Sequence, residues 1–216
     1  MATISRASRI RNPALFICDI QEKFRGIYEF PKLYESTQHH PTPNIQVHHL
    51  TKQPQTSIST TQKMLKAAST LQIPVYITTQ NRAKLGTTVV ELQEHLNGPH
   101  IRADVDKTLF SMITPEISNL LPQPGSGSPP LDVIIVGIET HICVTQTTLD
   151  LLERGHRVYI LVDGVSSMNA EERGIALARL RDAGAIVSSS ESVLFEIIGD
   201  AGHEGFRAVS GLVKEN

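Results

Sequence analysis

The chain has 216 residues, 40% hydrophobic and 19% charged, a size and balance that suit one globular domain over residues 1–216 and exclude global disorder or a fibrous repeat. Twenty Lys+Arg oppose 22 Asp+Glu for a formal charge of -2, which leaves no broad basic footprint for nucleic acid or anionic membrane. Its two cysteines, Cys18 and Cys143, make neither a disulfide framework nor a CxxC metal knuckle, and a reducing compartment is expected.

In chain order, Arg6, Arg9 and Arg11 precede the first acid, Asp19, a faint presequence-like composition, but an apolar strand begins at Ala14. A cytoplasmic protein is expected, with a mitochondrial one as the alternative. The run Ala14–Asp19 reads as a strand. Residues 37–59 then break the pattern, with His39, His40, His48 and His49 among prolines and glutamines and Lys52 as the only charge. This stretch lacks any acid or fixed scaffold that a His-rich metal site needs, so it is read as a flexible insertion and no metal is assigned. A helix is predicted over Thr60–Leu71 and a strand over Pro74–Thr78. Lys107 falls in the segment Asp104–Met112, read as a strand end or loop. After a Pro/Gly/Ser loop at 122–130, strands are predicted at Leu131–Val136, Arg157–Val162 and Ala185–Ser188. Between them, helices are predicted over Cys143–Arg154 and Asn169–Asp182, with Asn169 as N-cap and Gly184 as the closing residue. The strand runs are short and continuously apolar, which implies burial on both faces and falls well short of a membrane span.

This alternation implies an α/β fold: a doubly wound, mostly parallel central sheet flanked by helices in three layers. In such sheets ligands bind beyond the carboxyl ends of the strands, where the winding direction reverses. Asp19 ends the first strand and Cys143 lies just past the strand that begins at Leu131, at the start of the next helix. Both are expected in one crevice.

A strand-end carboxylate is often a cap, a helix-start cysteine often a small buried hydrophobe, and a loop lysine usually solvated. Together, Asp19, Lys107 and Cys143 supply a base, a cation and a nucleophile, the minimum for thiol catalysis. A free thiol, with a pKa of about 8.5, is mostly protonated at neutral pH, and a helix N-terminus or a nearby ammonium favours its thiolate.

Three separated runs carry a resemblance: Cys18-Asp-Ile-Gln-Glu-Lys-Phe24, Lys107-Thr-Leu-Phe-Ser-Met112, and Val136-Gly-Ile-Glu-Thr-His-Ile-Cys-Val144 with Gln146–Leu151. From about Ala14 to about Lys214, except over the His-rich stretch 37–59, the chain resembles the isochorismatase-like cysteine hydrolases, and within them the isochorismatase domain-containing proteins. The likeness implies an Asp-Lys-Cys triad on Asp19, Lys107 and Cys143. It also implies a non-proline cis peptide between Ile138 and Glu139, and an oxyanion hole made by the N–H groups of Glu139 and Cys143. The Asp-x-His metal pattern of the superfamily's nicotinamidases is missing, so no cofactor is expected. Gln80–Gly86 occupies the loop where relatives carry a variable aromatic segment, and no substrate signature stands out.

The reading is therefore a cysteine hydrolase cleaving a small amide or carbamoyl-type C–N bond through an acyl-enzyme on Cys143, with Gln21, Phe24, Phe110 and His141 as candidate substrate contacts. A non-catalytic binding protein on the same fold and an Asp-dependent enol-ether hydrolase are the alternatives. A nucleic-acid enzyme finds no basic stripe or aromatic platform in the sequence. A homo-oligomer is expected, with Phe195–Ile198 and Phe206 as contributors to either a subunit contact or the core.

Overall fold

The computed structural model of the protein describes residues 9–27, 57–123 and 125–215. Six strands, β1 (Pro13–Cys18), β2 (Val75–Gln80), β3 (Ile101–Lys107), β4 (Asp132–Gly137), β5 (Arg157–Val165) and β6 (Ile186–Ser188), form one sheet in the order β3-β2-β1-β4-β5-β6. Every neighbouring pair is parallel. The helices are α1 (Ser57–Leu71), α2 (Arg82–Leu85), α3 (Val90–Gln93), α4 (Pro115–Ser118), α5 (Thr145–Glu153), α6 (Ala170–Ala183), α7 (Ser190–Ile198) and α8 (Phe206–Lys214). A 3₁₀ turn spans Glu22–Ile27 and a π turn spans Thr140–Val144.

Strand parity divides the core into two layers, because successive side chains leave a strand on opposite faces. Leu15 and Ile17 of β1, Ile134 and Val136 of β4, and Tyr159 and Leu161 of β5 pack with α1, α7 and α8. Ala14, Phe16 and Cys18, Val133 and Ile135, and Val158 and Ile160 pack instead with α4, α5 and α6. The same parity puts Cys18 in the layer that holds Cys143 and Val144.

The predicted helix over Asn169–Asp182 is α6, where the Asn169 side chain accepts from Glu171 N and Gly184 closes the helix in the left-handed region at φ 116. Two strand expectations need correction. The segment read as a strand end or loop carries the last residues of a whole edge strand, β3. Its exposed Arg102, Asp104 and Asp106 alternate with Ile101, Ala103, Val105 and a buried Lys107, so it has no continuous apolar run. β6 is not buried on both faces either, since it is an edge strand whose three residues are all partly exposed. Of the predicted insertion at 37–59, residues 57–59 belong to α1; its histidines and the rest of it, 37–56, lie outside the described residues. Ile198 is buried and Phe206 packs against the core, while Phe195 is exposed.

From β1 the chain winds outward to β3, returns to place β4 on the other side of β1, and proceeds to β6. The winding reversal therefore lies between β1 and β4, whose last residues pair as Cys18 and Gly137. At the opposite, amino end of the sheet, Asp132 accepts from Arg11 N at 2.6 Å, from Asn12 N at 3.0 Å and from Arg157 Nε at 2.6 Å.

Candidate functional site

Asp19 follows β1 directly with φ 51, a left-handed conformation that Asp tolerates better than most residues. It is 1% exposed, and its backbone N–H donates to Thr78 O at 3.2 Å. Thr78 Oγ1 donates to Asp19 Oδ1 at 2.8 Å and Lys107 Nζ donates to Asp19 Oδ2 at 2.7 Å. Lys107 reaches it because it is the next inward-facing residue of β3 after Ile101, Ala103 and Val105. Its ammonium also lies 2.8 Å from Gln80 Oε1 and 3.1 Å from the carbonyl oxygens of Leu109 and Phe110. Burial pulls the Lys107 pKa down, but its electrostatic interactions with the surrounding Cys18, Asp19 and Cys143 and the Asp19 hydrogen bond outweigh it and hold the value above the ordinary lysine range.

Cys143 comes to the same point from the other side of the winding reversal. Gly137 ends β4 at φ 119, and a Cβ there would lie 2.0 Å from the Cys18 carbonyl oxygen. Only glycine lets the two backbones approach so closely. Ile138 N then donates to Cys18 O at 2.9 Å, and the Ile138–Glu139 peptide is cis. Among the described residues the Glu139 N–H has no hydrogen-bond acceptor. Glu139 O accepts from Ile142 N and from Val144 N, both at 3.1 Å, and the second closes the π turn. Cys143 thus sits inside this turn ahead of α5 rather than at the helix's first residue, as the sequence suggested. Apolar periodicity does not separate a π turn from a first helical turn, and such turns recur at functional sites.

The Cys143 sulfur, the Cys18 sulfur and an Asp19 carboxylate oxygen all lie within 4.8 Å of one another. Cys143 is 6% exposed and Cys18 is fully buried. Burial pushes the Cys18 thiol well up, and the neighbouring Cys143 and the Asp19 charge push it further. Among the described residues this trio is the one group of His, Cys, Asp or Glu compact enough to hold a metal ion, but the Lys107 ammonium already engages its carboxylate.

The other predicted residues fall in distinct places. Gln21 is fully buried, and its amide donates to Gln80 O and Gly86 O and accepts from Gln80 N at 2.7 Å, clamping the loop after β2. Phe24 packs against the α1 layer of the core. Phe110 is 50% exposed. His141 Nδ1 lies 3.2 Å from Ser167 Oγ and 3.6 Å from Glu139 Oε2, while Glu139 Oε2 accepts from Met168 N at 3.1 Å. These two side chains tie the loop after β4 to the loop after β5. Sequence reasoning missed Thr78, Gln80 and Thr147. The first two are at the carboxyl end of β2, the same edge that singled out Asp19. Thr147 donates to Cys143 O at 2.7 Å and accepts from Met112 N at 2.9 Å, joining the turn that bears Cys143 to the loop after β3.

The isochorismatase domain matches residues 13–192 of the chain. The whole chain aligns, at 37% identity, with 94% of the secreted isochorismatase effector Isc1 of Phytophthora sojae (strain P6497). At the same 37% identity, 93% of the chain aligns with 82% of isochorismatase domain-containing protein 2 of Homo sapiens. The structure of the MAR1 ribonuclease of Caenorhabditis elegans superposes with a TM-score of 0.77 at 36% identity, covering 96% of this chain and 93% of that one. With the all-parallel sheet and with Cys143 and Asp19 close together at its winding reversal, the chain belongs to the isochorismatase family of hydrolases.

Proposed function

We propose that the protein is a cysteine hydrolase that cleaves a small amide or carbamoyl-type C–N bond through an acyl-enzyme on Cys143. The observation that carries this reading is the meeting of the Cys143 sulfur with the Asp19 carboxylate within 4.8 Å, while Lys107 holds that carboxylate at 2.7 Å. Asp19 takes the thiol proton as Cys143 sulfur attacks the carbonyl carbon. The oxyanion is held by the N–H groups of Glu139 and Cys143. Asp19 passes the proton to the departing nitrogen as the C–N bond breaks, leaving a thioester. Water, deprotonated by Asp19, attacks the thioester; the acid leaves and the thiol is restored. Lys107 holds the Asp19 carboxylate in position at 2.7 Å and offsets negative charge in the crevice.

The proposed partner is a small molecule rather than nucleic acid or membrane, because the reacting sulfur of Cys143 is buried, at 6% exposed, and the chain, at a formal charge of -2, carries no broad basic footprint. Among the described residues no helix is long and apolar enough to cross a membrane. A homo-oligomer in the cytoplasm remains part of the proposal.

The test is turnover on a panel of small amides, carbamoyl compounds and enol ethers, with single-stranded RNA included because one similar structure is named a ribonuclease. Asp19→Ala and Cys143→Ala are each expected to lower amide turnover by at least about a thousandfold, with an acyl adduct on Cys143 found by mass spectrometry. Turnover that survives Cys143→Ala but not Asp19→Ala transfers the assignment to Asp-dependent enol-ether hydrolysis. Alkylation of Cys143 at an ordinary thiol rate, with no turnover on the panel, favours a binding protein.

A further inference from the structure

The proposed mechanism uses one of the two cysteines, yet the other is beside it. Cys18 ends β1, fully buried, and its parity points it into the layer that contains Cys143. The two sulfur atoms lie within 4.8 Å of each other, and Cys18 Sγ donates to Asp19 Oδ2 at 3.6 Å. A disulfide requires a sulfur separation of about 2.05 Å, so the remaining gap is less than about 3 Å, on the scale of a side-chain rotation. The sequence contains no other cysteine to compete.

We infer that Cys18 is a resolving cysteine: a peroxide oxidises Cys143, and Cys18 captures the product as an intrachain Cys18–Cys143 disulfide that switches the site off reversibly. The inference rests on the proposed reactivity of Cys143 for its first step alone. In that step Cys143 thiolate attacks one peroxide oxygen and the O–O bond breaks. Cys143 sulfenic acid forms and hydroxide leaves, so sulfur is oxidised and peroxide reduced. Cys18 sulfur then attacks the sulfenic sulfur, its proton passes to Asp19, and Asp19 returns that proton to the departing hydroxyl as water. The S–S bond forms as the S–O bond breaks.

The surroundings fix the order of events. Cys18 is fully buried and held as a thiol, so the more accessible Cys143 meets the oxidant first. Asp19 touches Cys18 and is paired with Lys107, so a proton acceptor is already in place for the second step. Without a resolving partner a sulfenic acid advances to sulfinic acid, which is irreversible for most proteins. A neighbouring thiol protects the nucleophile from that loss.

The experiment treats the reduced full chain with hydrogen peroxide and follows free thiols, non-reducing peptide mass spectra and the rate of iodoacetamide labelling at Cys143. Expected are loss of both thiols, a linked peptide pair containing Cys18 and Cys143 within one chain, and labelling reduced by roughly tenfold or more, all reversed by dithiothreitol. Cys18→Ala is expected to give no linked pair and to carry Cys143 on to sulfinic acid. If reduced Cys143 labels rapidly but peroxide yields sulfinic acid with Cys18 still free, the switch is wrong and the proposed function stands. A disulfide between chains also overturns it. A Cys143 inert to both reagents overturns the switch and the proposed nucleophile together.

Discussion

Lys107 is 5% exposed, and its ammonium is surrounded by four oxygens at 2.7 to 3.1 Å. Removing one partner of a buried ion pair strands the other charge in a poor solvent, which is far more damaging than removing both. Lys107→Met, which keeps the length and loses the charge, is therefore expected to destabilise the fold by about 3 kcal/mol in urea titrations. The double variant Asp19→Asn/Lys107→Met should recover most of that loss; no recovery would mean that the lysine acts through its contacts with Gln80 and the two carbonyls. The direction of its pKa shift sets the pH window. A raised lysine stabilises fully below its unfolded value, about 10.4, and the contribution is lost only as pH rises through the still higher folded value. The pair is thus intact throughout the neutral range. The mere presence of Asp19, Lys107 and Cys143 was legible in the sequence. That the carboxylate is also held by Thr78, and the ammonium by Gln80, was not, because those contacts come from a neighbouring strand.

At the scale of the element, β4 and the π turn after it decide where the sulfur sits. Gly137 carries two demands at once, a φ of 119 and a backbone contact that leaves no room for a Cβ. Gly137→Ala should cost at least about 3 kcal/mol in thermal or urea unfolding and displace the turn that carries Cys143. Gly174, in the exposed part of α6, has open space where an alanine Cβ would sit, with no neighbouring atom within 4 Å, so Gly174→Ala is expected to stabilise by about 0.5 to 1 kcal/mol. The two alanine variants separate a glycine demanded by its neighbours from one that only weakens a helix. The caps of α6 could be read from the sequence, since Asn169 and Gly184 act locally. β3 could not be read from apolar runs, because an edge strand needs only one apolar face. Its alternation of Ile101, Ala103 and Val105 with Arg102, Asp104 and Asp106 was the available signal.

Across the whole molecule the two ends of the sheet do different work. The carboxyl ends gather Asp19, Lys107 and Cys143, while the amino ends pin the chain with Asp132, Arg157 and His156. His156 is buried, and its Nδ1 accepts from Leu131 N at 3.1 Å, which requires the neutral ring. Its pKa is lowered by burial first and then by the charge of Arg154. A histidine depressed in the folded state binds fewer protons than in the unfolded chain, so stability rises with pH across that window. The contribution is complete above the unfolded value, about 6.5, and is lost as pH falls through the lower folded value. The melting temperature is expected to fall between neutral and mildly acidic pH, and His156→Gln should flatten that slope. An unchanged slope in the variant would place the acid sensitivity elsewhere.

Strand periods, helix caps and the order of elements are local, so the chain by itself determined an α/β sheet, its central strands and the family its motifs resemble. It also determined which residue types are available for thiol chemistry. Only the tertiary structure decided that β3 is an edge strand delivering Lys107 and that Cys143 lies in a π turn. The placement of Cys18 against Cys143 was decided there too, since Cys18 is 125 positions away in the chain and the two meet only where β1 and β4 pair across the winding reversal. Such contacts depend on strand order and register, which arise from the packing of distant segments against each other and leave no mark in local sequence.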